Sequence, residues 1–300
     1  MTDTIPGRLD AFRRFGAAML TSRDIDPAYP VLAHVATDAD DEARQWLCYL
    51  HLAFYDLSSA VTVWLDHPHP TRDLPDLVDQ LPCGIERRSL RGGRVRAHLQ
   101  LVLDFADASG GFDQWLTATL TGDPIVDWLH LTARIEAVPG NGRWAGYKAG
   151  DLWRYIAGYD VEPFGIGAAD ATGPRDGLTS VYPFDYATVR RADWIDRCEG
   201  LATELLGHLH AADVPAGIDQ VETMLCDFHS LTLGRYYVGH DIDQQLEQTG
   251  HHGSADATTA IMAARHATLP HPYLGELGGW PGVDRPRRRA YIDTGEVLER

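Results

Sequence analysis

The stretch Asp41-Glu-Ala-Arg-Gln-Trp-Leu-Cys-Tyr-Leu-His-Leu-Ala-Phe-Tyr-Asp-Leu-Ser-Ser-Ala-Val-Thr-Val-Trp-Leu65 has the most regular spacing of apolar residues in the chain. Its large side chains recur at steps of three and four residues, as they do on one face of a helix. These positions are Trp46, Leu47, Leu50, Phe54, Leu57 and Val61. Asp40 and Asp41 suit a helix N-cap just before them. The pattern predicts one long amphipathic helix over residues 41–65.

Helical spacing continues on both sides of this stretch, and no convincing run of alternating residues indicates a strand. Further helices are predicted over residues 9–20, 95–106, 112–120, 124–137, 143–159, 187–211, 217–228, 241–248 and 255–268. Proline and glycine predict loops at residues 22–30, 68–82, 160–185 and from 270 onward. We therefore expect an all-α protein, a single irregular helical domain over residues 1–300 with long Pro/Gly-rich loops and at most a small β-hairpin near residues 234–238. If it has two lobes, they should divide at residues 1–138 and 139–300.

Composition restricts the class of protein. The 300 residues are 44% hydrophobic, enough to bury a core. Arg8, Asp10, Arg13 and Arg14 interrupt any signal-peptide core within residues 1–20, and no apolar stretch approaches the length of a membrane span. The four cysteines are far apart, which disfavours a disulfide framework or a structural zinc site. These features predict a soluble protein with reduced thiols in a cytoplasm.

The net charge of −17 argues against broad, nonspecific binding of nucleic acid. A local basic patch can still bind DNA, because salt screens exposed charges over about 8 Å. The candidates form two runs, one made of Arg87, Arg88, Arg91, Arg94 and Arg96, and one that includes Arg285, Arg287, Arg288 and Arg289. The alternative is that both runs are solvated loops.

Lys148 is the only lysine in a chain whose other basic residues are arginines. On a helix, Trp144, Lys148, Asp151 and Tyr155 share one face. A cation, a carboxylate and aromatic rings on one stripe suit a pocket that stacks a planar base. An interhelical Lys–Asp pair with aromatic packing would give the same spacing.

A second cluster extends from Glu222 to Asp243. Glu222, Cys226 and His229 share a helix face, so Cys226 and His229 could be a nucleophile pair or metal ligands, although a buried structural cysteine is more common. We expect no zinc site at Cys226, His229 and His240, because no fourth ligand has the usual spacing. The pair His240-Asp241 also occurs in metal-dependent phosphohydrolases, for which His208 and His210 would supply the upstream histidine.

The short segment Asp24-Ile-Asp26-Pro27 places two acids in a loop. These carboxylates could cap a helix, bind a cation or hold an amine. Patterns of several other enzyme classes are absent from the sequence, namely GxSxG, Walker A, GxGxxG and HExxH.

Together these segments resemble a phage family, the amino acid:DNA transferases of thymine hypermodification pathways. The resemblance rests on Asp24-Ile-Asp-Pro-Ala-Tyr29, on the aromatic stretch from Gln45 to Tyr55, on the helix with Lys148 and Asp151, and on Leu225-Cys-Asp-Phe-His with Tyr237-Val-Gly-His-Asp. It covers roughly residues 20–295.

The resemblance implies a specific reaction. The amino group of an amino acid, typically glycine, would displace pyrophosphate from 5-(pyrophosphoryloxymethyl)uracil in DNA, inside an infected bacterial host cell. Arginines would bind pyrophosphate, a base would deprotonate the amine, and aromatic rings would stack the flipped base. No cofactor and no metal would be needed. The partners would be DNA with a modified thymine and a free amino acid.

Each expected site residue has a role in this scheme. The expected catalytic residues are Lys148, Asp151, Asp227 and Asp241. The expected substrate-binding residues are Asp24, Asp26, Arg143, Trp144, Tyr147, His229, Arg235, Tyr236, Tyr237 and His240. The expected DNA-binding residues are Arg87, Arg88, Arg91, Arg94, Arg96, Arg287 and Arg288. Lys148 itself could be the base if burial lowers its pKa, or it could contact the leaving pyrophosphate.

Three other functions fit the same sequence. The first is a metal-dependent phosphohydrolase that uses His240 and Asp241. The second is a non-enzymatic acidic phage protein, either a DNA mimic or an assembly factor. The third is a glycosylase-like or pyrophosphorylase-like enzyme of the same pathways. The sequence does not identify the amino acid, the DNA context or the oligomeric state.

Overall fold

A computed structural model describes residues 4–87, 89–183, 190–251 and 253–271. Of these residues, 68% are helical and none forms a strand, which confirms the predicted all-α class. The helices are α1 (Ile5–Ser22), α2 (Ala28–Val35), α3 (Asp41–Phe54), α4 (Leu57–Asp66), α5 (Val95–Ala108), α6 (Phe112–Thr117), α7 (Pro124–Glu136), α8 (Arg143–Leu152), α9 (Thr172–Val181), α10 (Arg191–His210), α11 (Ile218–Thr232), α12 (His240–His251) and α13 (Ala255–Thr268). Short 3-10 turns at Asp76–Asp79 and Ile85–Arg87 and a π-helical turn at Trp153–Ala157 join them.

The long helix predicted over residues 41–65 is in fact two helices. Tyr55 ends α3 in the left-handed conformation, with φ 45° and ψ 39°. Asp56 then caps α4, because its Oδ1 accepts a hydrogen bond from the Ser59 backbone N–H at 2.9 Å. The apolar spacing runs through the break because α3 and α4 both face the same core.

Two helices occur where loops were predicted. Pro30 lies in the first turn of α2 and Pro174 in the first turn of α9. The first turn of a helix tolerates proline, because its N–H groups have no acceptor within the helix. The predicted helix over residues 143–159 has the right position but changes from α to π after Leu152. Residues 234–238, where a hairpin was possible, form a turn.

Two hydrophobic clusters make up the interior. The first packs helices α2 to α8 with α12 and α13, and the second packs α1 with α9, α10 and α11. The boundary between the clusters does not follow the chain at residue 138, since α1 belongs to the second cluster and α8 to the first. Among the described residues, no helix is both long and apolar enough to cross a membrane.

Candidate active site

Lys148 lies at the meeting point of three carboxylates that come from three parts of the chain. Its Nζ is 3.2 Å from Asp151 Oδ2, 3.4 Å from Glu222 Oε2 and 3.6 Å from Asp26 Oδ2. Helix α8 supplies Lys148 and Asp151, α11 supplies Glu222, and the loop before α2 supplies Asp26. Lys148 is only 7% exposed. One buried cation is therefore shared by three acids.

The ionisation of Lys148 follows from this arrangement. Burial is the largest single effect and would lower the pKa of its ammonium group, but the surrounding acidic groups, led by Asp26 and Glu222, together outweigh burial and raise the pKa well above its usual value. Burial raises the pKa of the Asp151 and Glu222 carboxyls, while Lys148 opposes both shifts. Lys148 is thus protonated at neutral pH, and proton-accepting capacity resides in the acids.

The carboxylate cluster opens into a cleft of about 370 Å³ between α1, α8 and α11. Asp26, Tyr29, Asp151, Tyr155 and Asp219 form its polar wall. Apolar and cationic residues complete the lining, namely Met19, Leu20, Arg23, Ile25 and Pro30, together with Gln220. This size is within the range of small-ligand sites.

Hydrogen bonds and ring contacts with neighbouring side chains hold the acids that line the cleft in place. Asp26 has a left-handed backbone, with φ 45°, and its Oδ2 accepts a hydrogen bond from Thr223 Oγ1 at 3.0 Å. The Tyr155 hydroxyl donates to Asp219 Oδ2, and its ring stacks on the Tyr29 ring with centroids 5.9 Å apart. The acids are held by their neighbours and do not move as free surface side chains would.

Asp24 links the loop before α2 to the start of α12. Its carboxylate accepts hydrogen bonds from the Tyr236 hydroxyl (2.6 Å) and from the backbone N–H groups of Gly239 (2.6 Å) and Ile242 (3.0 Å). Burial and the nearby Asp241 raise the pKa of Asp24 to about 7. Asp24 therefore positions the loop that carries Asp26.

Asp227 and Asp241 form a second acidic group behind the cleft. Burial, Asp241 and Asp24 raise the pKa of the Asp227 carboxyl well above its usual value. His240 Nδ1 lies 2.9 Å from Asp241 Oδ1, and this hydrogen bond raises the pKa of His240. Neither Asp227 nor Asp241 lines the cleft.

Several aromatic residues expected to bind substrate are packed against other side chains. Trp144 meets Tyr55 edge to face at 4.8 Å, and Tyr147 meets Trp128 in the same way at 5.2 Å. Tyr236 and Tyr237 are buried, and their hydroxyls donate to Asp24 and Asp243. The exposed ring at the cleft is instead that of Tyr155.

The remaining predicted substrate residues lie away from the cleft lining. Arg143 is exposed and pairs with Asp170, and Arg235 is exposed on the turn after α11. His229 Nδ1 is 3.0 Å from Ser180 Oγ. Cys226 Sγ is 3.9 Å from Glu222 Oε1, and burial raises the pKa of this thiol well above its usual value. His210, the residue considered for a phosphohydrolase, contacts the carbonyl of Ala216.

The predicted arginine patch is divided by the fold. Arg87 is buried and donates to Asn141 Oδ1 at 2.8 Å, so its side chain is not part of the surface in this structure. Arg96 is held by Asp79 and by the carbonyls of Leu74 and Pro75. Arg91 and Arg94 are exposed. Arg88, Arg285, Arg287, Arg288 and Arg289 lie outside the described residues.

Sequence reasoning left several cleft residues without a role. Asp219 and Glu222 are three residues apart on α11, so their common face could have been noticed from spacing. Tyr29 and Arg23 had no such signal, because only the packing of α1 against α11 and of α2 against the π-helical turn brings them to the cleft.

One comparison with known proteins bears on this site. The family model described as "Amino acid:DNA transferase" matches residues 77–237, more than half of the chain. The matched segment contains Lys148, Asp151, Asp219 and Glu222, whereas Asp26 precedes it. The segment also supplies Asp151, Tyr155, Asp219 and Gln220 to the cleft, while residues 19–30 supply the rest of its lining. The chain belongs to the amino acid:DNA transferase family.

Proposed function

We propose that this protein joins the amino group of a free amino acid, with glycine as the first candidate, to the C5 methylene of 5-(pyrophosphoryloxymethyl)uracil in DNA. Pyrophosphate is released. The observation that carries the proposal is the group of buried carboxylates around Lys148, two of which, Asp151 and Glu222, lie with Lys148 in the segment that the family model matches. An excess of buried carboxylates favours a cationic ligand such as an amino acid ammonium group.

The reaction needs a base, because an ammonium group has no lone pair for attack. A carboxylate accepts one proton from the ammonium, and the amine lone pair then forms a C–N bond to the methylene carbon. The C–O bond to pyrophosphate breaks, and its electron pair leaves with pyrophosphate. The product is a secondary ammonium that loses its extra proton to solvent.

Asp151 is the best-placed base among the candidates. It lines the cleft, whereas Asp227 and Asp241 do not. Its raised pKa also makes it a stronger proton acceptor than an ordinary aspartate. Lys148 is protonated, so it does not act as the base; its charge opposes the rise that burial causes in the pKa of Asp151 and Glu222.

The DNA base and the leaving group call for different residues. The exposed Tyr155 ring, backed by Tyr29, offers a surface on which a flipped pyrimidine can stack. Pyrophosphate would be repelled by the acids around Lys148, so its charge must be neutralised by arginines outside that cluster. Arg154 is the candidate beside the cleft, since its Nη1 is 3.9 Å from Asp219 Oδ1.

The decisive experiment incubates the protein with a mixture of amino acids and DNA that contains 5-(pyrophosphoryloxymethyl)uracil. Mass spectrometry of the nucleosides identifies the adduct, and released pyrophosphate is measured in parallel. We expect one aminated nucleoside per pyrophosphate released. Free hydroxymethyluracil with no amine adduct would show hydrolysis and would overturn the proposal in favour of a phosphohydrolase.

The Asp151→Asn variant tests the assignment of the base. Its amide keeps the shape of the side chain but accepts no proton, so transfer should fall by about 100-fold or more. Asp127→Asn is the matched control, because Asp127 is similarly buried but binds Thr121 and Gly122 away from the cleft. Equal transfer rates in both variants would exclude Asp151 as the base.

A further inference from the structure

Three polar atoms of the cleft wall have no hydrogen-bond partner among the described residues: Tyr29 Oη, Asp151 Oδ1 and Asp219 Oδ1. The three residues are each at most 4% exposed. Arg154 Nη1 is the nearest cation to Asp219 Oδ1, but at 3.9 Å it is too far to donate a hydrogen bond. Buried polar atoms are nearly always satisfied in proteins, so three open acceptors on one cleft indicate a missing donor.

The charges around these atoms define the missing donor. Asp151 shares Lys148 with Asp26 and Glu222, so the cation is already divided among three acids. Asp219 adds a further buried carboxylate, whose Oδ2 is occupied by the Tyr155 hydroxyl while Oδ1 is left open. The complementary ligand is positively charged and has several N–H donors. A primary ammonium has three.

We propose that Tyr29, Asp151 and Asp219 form an ammonium-binding subsite that holds the amino group of the incoming amino acid, with Arg23 receiving its carboxylate. This inference rests on the proposed function. It adds Tyr29, Asp219 and Arg23 to the site and puts the amino group next to Tyr155, which contacts both Tyr29 and Asp219.

Arg23 is suited to the second half of this ligand. It lines the same cleft and is exposed, and its Nη1 donates to the Thr268 carbonyl at 2.5 Å. That bond orients the guanidinium group, which has five N–H donors in total. An amino acid thus meets acceptors at its ammonium end and a donor at its carboxylate end. A simple amine or a simple acid satisfies only one end.

The test measures ligand binding without DNA, so it does not depend on the transfer reaction. Equilibrium dialysis of the wild type against each of the twenty amino acids selects the best ligand. Methylammonium and acetate serve as probes of the two ends. We expect Asp219→Asn and Tyr29→Phe to weaken binding of the selected amino acid by about tenfold or more, since the first removes the negative charge that faces the ammonium and the second removes a hydrogen bond to it. Arg23→Gln should weaken binding of the amino acid but leave binding of methylammonium unchanged.

Asp127→Asn is again the matched control and should bind as the wild type does. The inference is overturned if no amino acid binds, if acetate competes while methylammonium does not, or if Asp219→Asn and Tyr29→Phe bind within twofold of the wild type. Binding that depends on Asp219 and Tyr29 in a protein that transfers nothing to DNA would support the subsite and refute the proposed reaction. Transfer to DNA at the wild-type rate in both Asp219→Asn and Tyr29→Phe would support the proposed reaction and refute the subsite.

Discussion

At Lys148, the two roles that the sequence left open make different demands on the side chain. A base must lose its proton, which arginine cannot do at any usable pH. A cation that balances Asp26, Asp151 and Glu222 needs only its charge. We expect Lys148→Arg to retain part of the transfer activity in the nucleoside assay, with circular dichroism as the check on folding. Complete loss in a folded Lys148→Arg protein would restore lysine as the base.

Removal of the charge at the same position should destabilise the fold. Lys148→Met leaves three buried carboxylates without their cation, which costs about 3–5 kcal/mol for a buried pair of this kind. Urea denaturation of Lys148→Met and Lys148→Arg at pH 7.5 measures the difference. If Lys148→Met were as stable as the wild type, the cluster would be more hydrated than its burial indicates.

The site was predictable from the sequence only where its residues share a helix. Lys148 and Asp151 are three residues apart, so spacing alone placed them together. Asp26 was noticed as one of two acids in a loop, but nothing in the sequence linked it to Lys148. Tyr29 is separated from Asp219 by most of the chain, and their approach depends on tertiary packing.

Helices α9 and α11 show how a segment that looks like a loop can be a helix. Residues 160–185 are rich in glycine and proline, which predicted irregular structure. In the fold, the glycines of α9 let it approach α11 closely: a Cβ at Gly173 would crowd Cys226 Sγ, and one at Gly177 would overlap the Leu225 carbonyl oxygen. Local propensity was overridden by a close helix contact, which a single sequence does not reveal.

This contact gives a prediction with a built-in control. Gly177→Ala should destabilise the protein by about 1–3 kcal/mol, because the added methyl group meets backbone that cannot move aside. Gly207→Ala on α10 meets nothing within 4 Å, so it should stabilise the helix by about 0.5–1 kcal/mol. Thermal and urea denaturation of both variants would measure the two effects. Similar shifts in the same direction would contradict the close packing of α9 on α11.

The molecule as a whole should bind protons when it folds, because burial raises the pKa of several acids. Asp24 is the clearest case: its pKa is about 7 in the folded protein against about 4 in an unfolded chain. Between these values only the folded state holds the proton, so stability is full below about pH 4 and is lost as the pH rises to about 7.

This linkage is measurable with one variant. From pH 5 to pH 8, deprotonation of Asp24 should lower the free energy of unfolding of the wild type by about 2–3 kcal/mol. The Asp24→Asn variant lacks this titrating group, so its free energy of unfolding should not show this fall. Any constant cost of replacing the hydrogen bonds from Tyr236, Gly239 and Ile242 cancels in the comparison between the two pH values. His51 and His98, whose pKa values burial lowers to about 4, titrate alike in both proteins and cancel too. Parallel stability curves for the two proteins would refute the shift.

DNA binding by a chain of charge −17 must depend on a restricted surface. Of the first arginine run, Arg91 and Arg94 are exposed. We expect the double variant Arg91→Gln/Arg94→Gln to weaken DNA binding and to reduce the slope of log K against log salt by about 2. The control is Arg13→Gln/Arg14→Gln, a half-buried and an exposed arginine beside Asp10 on α1. Equal losses in both variants would indicate nonspecific charge effects, and no loss in either would place the DNA surface elsewhere.

Since Lys148 is the only lysine in the chain, the group of carboxylates beside the cleft carries an intrinsic spectroscopic label. Growth on lysine labelled with ¹⁵N at the side chain would give a protein with a single ammonium resonance. Burial among Asp26, Asp151 and Glu222 slows exchange of its protons with water, so the resonance should be observable. Its shift would follow amino acid binding and the protonation of the neighbouring acids in one titration, without mutation and without DNA.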